Sequence, residues 1–278
     1  MLPAALSNAL PLLALITLAL LLVLALVWQP AWAERRRARQ RARPFPAAWR
    51  RILRRRVPAV ACLPADLQRQ LKAHIQVFLA EKPFVGCQGQ AITDDVRVTI
   101  AAQACLLLLG QPRPDYYPRL RQILVYPGAF VVDRVLPQAG GVVHEQRQAL
   151  AGQSWAQGQV ILSWAEVQAG AANRSDGQNV VLHEFAHQVD QDKGRADGQP
   201  WRPTAAQRQH WATVMGAAFA QLQQQPSELI SAYGATDPAE FFAVVTEVFF
   251  ELPQALAAEA PAVYRELALL YQVNPLAW

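Results

Sequence analysis

The sequence predicts an α+β fold, helix-rich with a small sheet, preceded by one N-terminal transmembrane helix. Three observations carry this prediction. A long apolar run opens the chain, apolar residues recur at helical spacing in much of the remainder, and short β-branched runs lie between them. With 278 residues, of which 53% are hydrophobic and 17% charged, the chain is long enough for a large domain with its own core.

The apolar run extends from Ala9 to Trp28 and contains one polar residue, Thr17. As a helix it would span about 30 Å, the hydrocarbon thickness of a bilayer. A cleaved signal peptide is the alternative, because Ala31–Ala33 has the small-x-small form of a cleavage site. Signal peptides carry positive charge before the apolar run, however, and none is found there. We therefore expect a transmembrane anchor over residues 1–29.

Basic charge is concentrated directly after this run. Residues 34–56 carry eleven arginines against one glutamate, so the net charge of +5 leaves the rest of the chain negative. The positive-inside rule then predicts a single-pass protein of a bacterial inner membrane with a cytoplasmic body. We expect residues 30–57 to be an arginine-rich juxtamembrane linker attracted to anionic lipid, in which Trp49 to Arg56 form an amphipathic basic turn on the membrane. A nucleic-acid arm is the alternative, and no direct nucleic-acid contact is expected.

The folded body is expected over residues 58–278. Three cysteines at uneven spacing, without a CxxC pair, predict neither a disulfide framework nor a zinc ribbon. Helical spacing and capping residues predict four helices, whereas short apolar runs bounded by Pro, Gly or polar residues predict two strands. The helices are expected at Leu67–Leu79, Asp94–Leu109, Asn179–Asp190 and Pro238–Glu251, and the strands at Ile123–Tyr126 and Val160–Trp164.

The chemistry is indicated by an HExxH motif, which runs from His183 to His187. On a helix, positions i and i+4 project from one face, so the two imidazoles can share one Zn²⁺. Glu184 is rotated away from the metal yet can reach a zinc-activated water, for which it would be the general base. Two surface histidines on a helix are the alternative interpretation.

A third zinc ligand does not follow at the spacings of thermolysin-like or metzincin sequences. Asp237 and Pro238 begin a predicted helix that presents Glu240 in its first turn. The same spacing of Asp237 and Glu240 has the form of a capping box, in which Glu240 would bind a backbone N–H. Glu247, on the same helix face, is the other candidate for the third ligand. Alternatively, it would orient a histidine ligand through a hydrogen bond without binding the metal itself. Sequence spacing alone does not decide whether Glu240 or Glu247 is the third ligand.

These segments resemble the Mlc titration factor A type of zinc-dependent peptidases, a family whose catalytic domain is similar to that of anthrax lethal factor. The likeness covers most of residues 60–278 and extends well beyond HExxH. It rests on Val125–Asp133, Gly141–Trp155, Gly158–Trp164, Asn179–Asp190 and Ser231–Glu251. The resemblance implies that residues 58–278 form a zincin-like metallopeptidase domain.

The resemblance also implies roles for individual residues. His183 and His187 match the family's zinc histidines, Glu184 its general base, and Glu240 its third ligand. His144 aligns with a further histidine associated with the metal site. Tyr233 precedes the Asp-Pro-Ala-Glu turn as in the family and could donate its hydroxyl to the oxyanion of a tetrahedral intermediate.

The function expected is that of a membrane-anchored zinc-dependent peptidase that hydrolyses peptide bonds in a peptide or protein substrate. The alternative is a membrane-tethered regulatory binding protein, whose zincin body sequesters a transcriptional regulator with little or no hydrolysis. Glu184 favours the enzyme, because a binding protein has no physical need for a general base. Family members are typically soluble, so the transmembrane helix departs from the family and favours substrates or partners near the inner leaflet.

Overall fold

The computed structural model describes residues 4–111, 113–128, 130–137, 143–150, 152–155, 158–191, 194 and 196–278. Within these ranges, only the backbone is described for residues 4–13, 26 and 130–155. Contacts divide the chain into two compact units, Met1–Pro44 and Phe45–Trp278. The division into residues 1–29, 30–57 and 58–278, which follows composition, stays a prediction.

The first unit is formed by one long helix, α1 (Ala4–Arg41). Its segment Ala14–Arg41 includes an 18-residue window with a mean hydropathy of 2.2, and none of that window is buried. A helix this long and apolar near the N-terminus has the properties of a membrane span or a signal sequence. The helix continues past the apolar run, so the first arginines lie on it as well, and Glu34 forms an ion pair with Arg41.

The second unit begins with helix α2 (Ala47–Arg56), which packs on α4 (Asp94–Ala104). Leu53 of α2 is 3% exposed, and Trp49 packs beside it while its indole nitrogen donates to Asp94 at 2.9 Å. The apolar side of α2 is therefore covered by protein. Arg50, Arg51 and Arg54 face solvent, and Arg55 and Arg56 pair with Asp95 of α4. This differs from the expected amphipathic turn on the membrane.

The sheet is small and holds four strands in the order β1-β2-β6-β5. Strands β1, β2 and β6 run parallel, and β5 pairs antiparallel with β6. A separate antiparallel pair is formed by β3 and β4. The strands are β1 (Phe84–Gly86), β2 (Gln122–Tyr126), β3 (Phe130–Pro137), β4 (Val143–Leu150), β5 (Gly152–Trp155) and β6 (Gln159–Ser163). Both strands expected from the sequence are present within one residue, and Trp164 begins the next helix instead of ending β6.

Helices make up most of the unit, so the expected helix-rich α+β architecture is confirmed. Each of the four expected helices forms, and Asp94–Leu109 finishes as a short 3₁₀ turn from Cys105 to Leu108. The remaining helices are α3 (Ala65–Glu81), α5 (Trp164–Ala172), α6 (Val180–Asp190), α7 (Ala205–Gln224), α8 (Pro238–Glu251), α9 (Pro253–Glu259) and α10 (Pro261–Tyr271).

Helices α6 and α8 pack against each other and position the site. Each begins at a capping side chain. The Asn179 side-chain oxygen accepts from the backbone nitrogens of Val181 and Leu182, which starts α6. Asp237 Oδ1 accepts from the nitrogens of Ala239 and Glu240 at 2.8 and 3.0 Å, which starts α8. Each helix therefore begins at a defined residue.

Candidate metal centre

Three side chains from α6 and α8 converge on one point. The ligand atoms of His183, His187 and Glu240 all lie within 4.8 Å of one another. Glu240 Oε2 lies 3.0 Å from His183 Nε2 and 3.4 Å from His187 Nε2, and the two imidazole nitrogens are 3.2 Å apart. Asp237 caps α8 while the Glu240 carboxylate meets both histidines, so the geometry favours the ligand interpretation of Glu240 over the capping box.

The donor set suits a divalent metal such as zinc. Two imidazole nitrogens and one carboxylate oxygen are a frequent set of protein ligands in catalytic zinc sites. Tetrahedral ligands about 2.0–2.1 Å from Zn²⁺ lie about 3.3–3.4 Å from each other. The three separations between the donor atoms here, 3.0, 3.2 and 3.4 Å, are close to that value. The residues therefore fit the metal ion that the motif implies.

Glu247 lies behind His183 and not beside His187. Its Oε1 is 2.8 Å from His183 Nδ1, the ring nitrogen that is turned away from Glu240. Its other oxygen accepts from the backbone nitrogen of Asn179. Asn179 in turn donates its side-chain amide to Glu251 Oε1 at 2.9 Å. Glu247 is thus placed to orient the His183 ring. Helical spacing did not decide between Glu240 and Glu247 as the third ligand, and the structure places them at opposite nitrogens of this ring.

The same contacts control the charge of the cluster. Burial lowers the pKa of His183, but hydrogen bonds to Glu240 and Glu247, together with the charges of Glu247 and Glu184, raise it to about 10. Burial raises the pKa of Glu240, but hydrogen bonds and charges from His183 and His187 hold it well below its usual range. An imidazolium and a carboxylate are therefore the stable protein-only pair, and a metal ion must displace a proton to bind.

Glu184 lies on α6 directly after the first histidine of the cluster and is 3% exposed. Its charge contributes to the raised pKa of His183, so its carboxylate is near the cluster. Phe185 and Ala186, which follow it, are fully buried in the core. The helix therefore presents a chemical side and an apolar side, as its sequence predicts.

Tyr233 is also brought to the cluster. It lies in a short 3₁₀ turn, Ala232–Ala235, just before α8. Its ring centroid is 5.9 Å from that of His183 and the rings are tilted by 35°. The side chain is 50% exposed. Tyr233 is therefore both next to His183 and in contact with solvent.

Two other polar residues, His144 and Asp190, lie outside the HExxH motif. His144 is on β4, paired in register with Leu136 of β3, and its side chain lies outside the described part of the structure. Asp190, which shares the histidine side of α6 in the sequence, instead accepts from the backbone nitrogen of Gly198 at 2.7 Å. Its contact with a loop could not be read from helical spacing.

Asn179 is the site residue that sequence reasoning missed. An Asn before an apolar helical run is a recognisable capping signal, and the cap does form. The contact of its backbone nitrogen with Glu247 joins residues 68 positions apart in the chain. Local sequence patterns carry no information on such a distance.

The chain is similar to a metallopeptidase family and to several bacterial proteins. The family model of the glucose-regulated metallo-peptidases M90 matches residues 31–272, which include every residue of the cluster. The Synechocystis protein slr2042 is 40% identical over 269 residues, which is 95% of this chain and 98% of that protein. An alignment of that extent includes most of α1.

Two further relatives carry the name Mlc titration factor A. The protein from Enterobacter sp. strain 638 is 35% identical over 227 residues, covering 79% of this chain and 84% of that protein. The protein from Escherichia coli O1:K1 is 32% identical over 252 residues, covering 88% of this chain and 91% of that protein. The HExxH helix, the converging glutamate and these matches lead to one conclusion: the chain belongs to the family of glucose-regulated metallo-peptidases M90, which includes Mlc titration factor A.

Proposed function

We propose that this protein is a membrane-anchored zinc-dependent peptidase that hydrolyses peptide bonds. The observation that carries the proposal is the convergence of His183, His187 and Glu240 on one point, with the buried carboxylate of Glu184 beside it. If His183 and His187 were merely surface histidines, neither Glu240 nor Glu184 would need to lie next to them. The combination of the four side chains is the minimum needed for metal-assisted hydrolysis.

Each side chain has a definite task. When held by the three ligands, Zn²⁺ would polarise the scissile carbonyl and lower the pKa of a water molecule to about 7. Glu184 accepts a proton from the water that attacks the carbonyl carbon and then delivers it to the leaving amine, so that the C–N bond breaks. Tyr233 donates its hydroxyl to the oxyanion that develops on the carbonyl oxygen. A contribution of His144 stays a prediction.

The membrane anchor is the second part of the proposal. The apolar, unburied α1 would cross a bacterial inner membrane once, and the arginines at its end would keep the following unit in the cytoplasm. Exposed arginines on the outer side of α2, among them Arg50, Arg51 and Arg54, would add attraction to anionic lipid. Substrates would accordingly be peptides or proteins close to the inner leaflet.

A regulatory role is the second candidate, and the names of the relatives favour it. Mlc titration factor A is named for titrating Mlc. By that analogy, this chain would sequester a transcriptional regulator at the membrane, with hydrolysis weak or absent. The intact Glu184 distinguishes the candidates, because sequestration makes no use of it.

The deciding experiment is a pair of measurements on full-length protein purified in detergent without a chelator. We expect about one zinc ion per chain, and loss of that zinc in His183→Ala. Protein that neither retains zinc nor takes it up from solution would refute the peptidase proposal.

The second measurement is the cleavage of a quenched fluorescent peptide library by the wild type and Glu184→Gln. We expect turnover to fall about 10²–10⁴-fold in the variant, with the zinc content unchanged, because a general base is lost and a ligand is not. Glu259→Gln, which changes an exposed glutamate of α9, is the matched control and should be fully active. Equal turnover in wild type and Glu184→Gln would contradict the assigned role of Glu184.

A further inference from the structure

The end of α6 and the start of α8 are joined through one glycine. Asp190 is the last residue of α6, three positions after His187, and it is 1% exposed. Its Oδ2 accepts from the backbone nitrogen of Gly198 at 2.7 Å. Asp190 therefore attaches the loop after α6 to the end of the helix that carries both histidines.

The opposite side of Gly198 lies against α8. A Cβ atom at this position would be 2.4 Å from the carbonyl oxygen of Pro238, far inside van der Waals contact. Pro238 is the first residue of α8, two positions before Glu240. Gly198 also has a φ of +75°, in the left-handed region that favours glycine. No other residue type allows the loop and α8 to approach this closely.

A third contact fixes the loop from the side of α7. The indole nitrogen of Trp211 donates to the carbonyl oxygen of Gly198 at 2.8 Å, and Trp211 is 1% exposed. The backbone N–H and C=O of Gly198 are thus both hydrogen-bonded, and its Cα packs against the first residue of α8. Gly198 therefore contacts Asp190 of α6, Trp211 of α7 and Pro238 of α8 at once.

We propose that Asp190 and Gly198 are positioning residues that set the distance between the histidines of α6 and the carboxylate of Glu240. The inference rests on the proposed metal-binding function of these three ligands. Neither residue offers an atom to the metal. A metal site tolerates ligand displacements of only about 0.2 Å, whereas relief of a Cβ contact at Gly198 requires Pro238 to move by roughly 1 Å.

The test compares Gly198→Ala with Gly216→Ala in the full-length protein. Gly216 lies on α7, and a methyl group added there would meet open space, so the same substitution has no steric consequence. Zinc affinity is measured by competition with a chromophoric chelator. We expect Gly198→Ala to bind zinc about 10–100-fold more weakly, as for other residues that orient ligands, and Gly216→Ala to bind like the wild type.

Variants of Asp190 separate positioning from general stability. Asp190→Asn retains an oxygen that can accept from Gly198, and we expect near-normal zinc affinity and a normal visible spectrum of the Co²⁺-substituted protein. Asp190→Ala removes the acceptor and should weaken zinc binding and alter that spectrum. Folded Gly198→Ala and Asp190→Ala proteins with wild-type affinity and spectrum would overturn the proposal.

A metal-free readout keeps this inference distinct from the proposed function. His187 Nε2 and Glu240 Oε2 are 3.4 Å apart. In a crystal structure of metal-free Gly198→Ala, or of Asp190→Ala if the first variant does not fold, this separation should increase by about 1 Å or more. An unchanged separation would refute the positioning role. Failure of the wild type to bind zinc would instead refute the proposed function, while the separation would still decide the role of Asp190 and Gly198.

Discussion

Glu247 Oε1 lies 2.8 Å from His183 Nδ1, while Nε2 of the same ring lies 3.0 Å from Glu240 Oε2. The imidazole is therefore held at both edges by glutamates that are seven positions apart on α8. An acceptor at Nδ1 keeps the hydrogen of a neutral ring on that nitrogen, which leaves Nε2 free to bind a metal. The contact with Glu247 thus favours one ring orientation of His183 and, for the neutral ring, the tautomer with its hydrogen on Nδ1.

We expect Glu247→Ala to weaken zinc binding about 10–100-fold, because His183 loses the partner that orients it. The dissociation constant is measured by competition with a chromophoric chelator on protein shown to be folded by circular dichroism. Glu259→Ala, an exposed glutamate on α9, is the matched control and should leave the constant unchanged. An unaltered constant in folded Glu247→Ala would show that the hydrogen bond is dispensable.

Tyr233→Phe tests the hydroxyl separately from the ring. The ring contact with His183 remains in this variant, so zinc content should not change. If the hydroxyl donates to the developing oxyanion, kcat should fall by about 10²–10³-fold with little change in KM. Steady-state kinetics on a cleaved peptide measure both constants. A higher KM with normal kcat would instead assign Tyr233 to substrate binding.

The stability of the protein should depend on the ionisation of Glu251. Burial is the main reason that its pKa rises from 4.5 to about 8, and the hydrogen bond from Asn179 offsets only part of this. The folded chain therefore binds this proton more tightly than the unfolded chain. Its contribution to the free energy of unfolding is present in full below about pH 4.5 and is lost as the pH rises to about 8.

Glu251→Gln removes this dependence, because an amide keeps the oxygen that accepts from Asn179 and carries no charge. As the pH rises from 5 to 9, we expect the free energy of unfolding of the variant to increase by about 2–4 kcal/mol relative to that of the wild type. Urea unfolding at a series of pH values measures the difference. Glu259→Gln should parallel the wild type, and identical pH profiles for all three proteins would mean that Glu251 ionises normally.

The topology can be tested with a native cysteine. Cys62 is exposed, whereas Cys105 is buried. If the second unit is cytoplasmic, a membrane-impermeant maleimide should label Cys62 in lysed spheroplasts but not in intact ones. Cys62→Ser is the control for labelling elsewhere. Strong labelling of intact spheroplasts would place the unit outside the inner membrane.

The anchor itself is tested by fractionation of the same cells. Full-length protein should remain in the membrane pellet after carbonate extraction, because a transmembrane helix resists it and an electrostatic contact does not. A chain beginning at Phe45 should move to the soluble fraction, since α1 is removed. Extraction of the full-length protein by carbonate would favour a cleaved or peripheral segment.

Much of the fold could be predicted from local sequence. Helix α8 extends from Pro238 to Glu251 as expected, because Asp237 and Pro238 form an unambiguous start. Strand β1 and the packing of helix α2 are harder to predict from local sequence. A strand of three residues has too few positions to show alternation. The amphipathic pattern of α2 is equally suited to a membrane or to a core, and only its contact with α4 decides between them.

The sequence by itself determined the two histidines, the adjacent glutamate and the helix that carries them, because their relation is set by the 3.6-residue period of one helix. The family resemblance implied Glu240 as the third ligand, but only the tertiary structure shows that Glu240 meets the histidines and that Glu247 contacts the opposite ring nitrogen of His183. Seven residues separate these glutamates by about 10 Å along one face of α8. The face is encoded locally, but the axial offset between α6 and α8 is set by the packing of distant segments, among them the loop at Gly198.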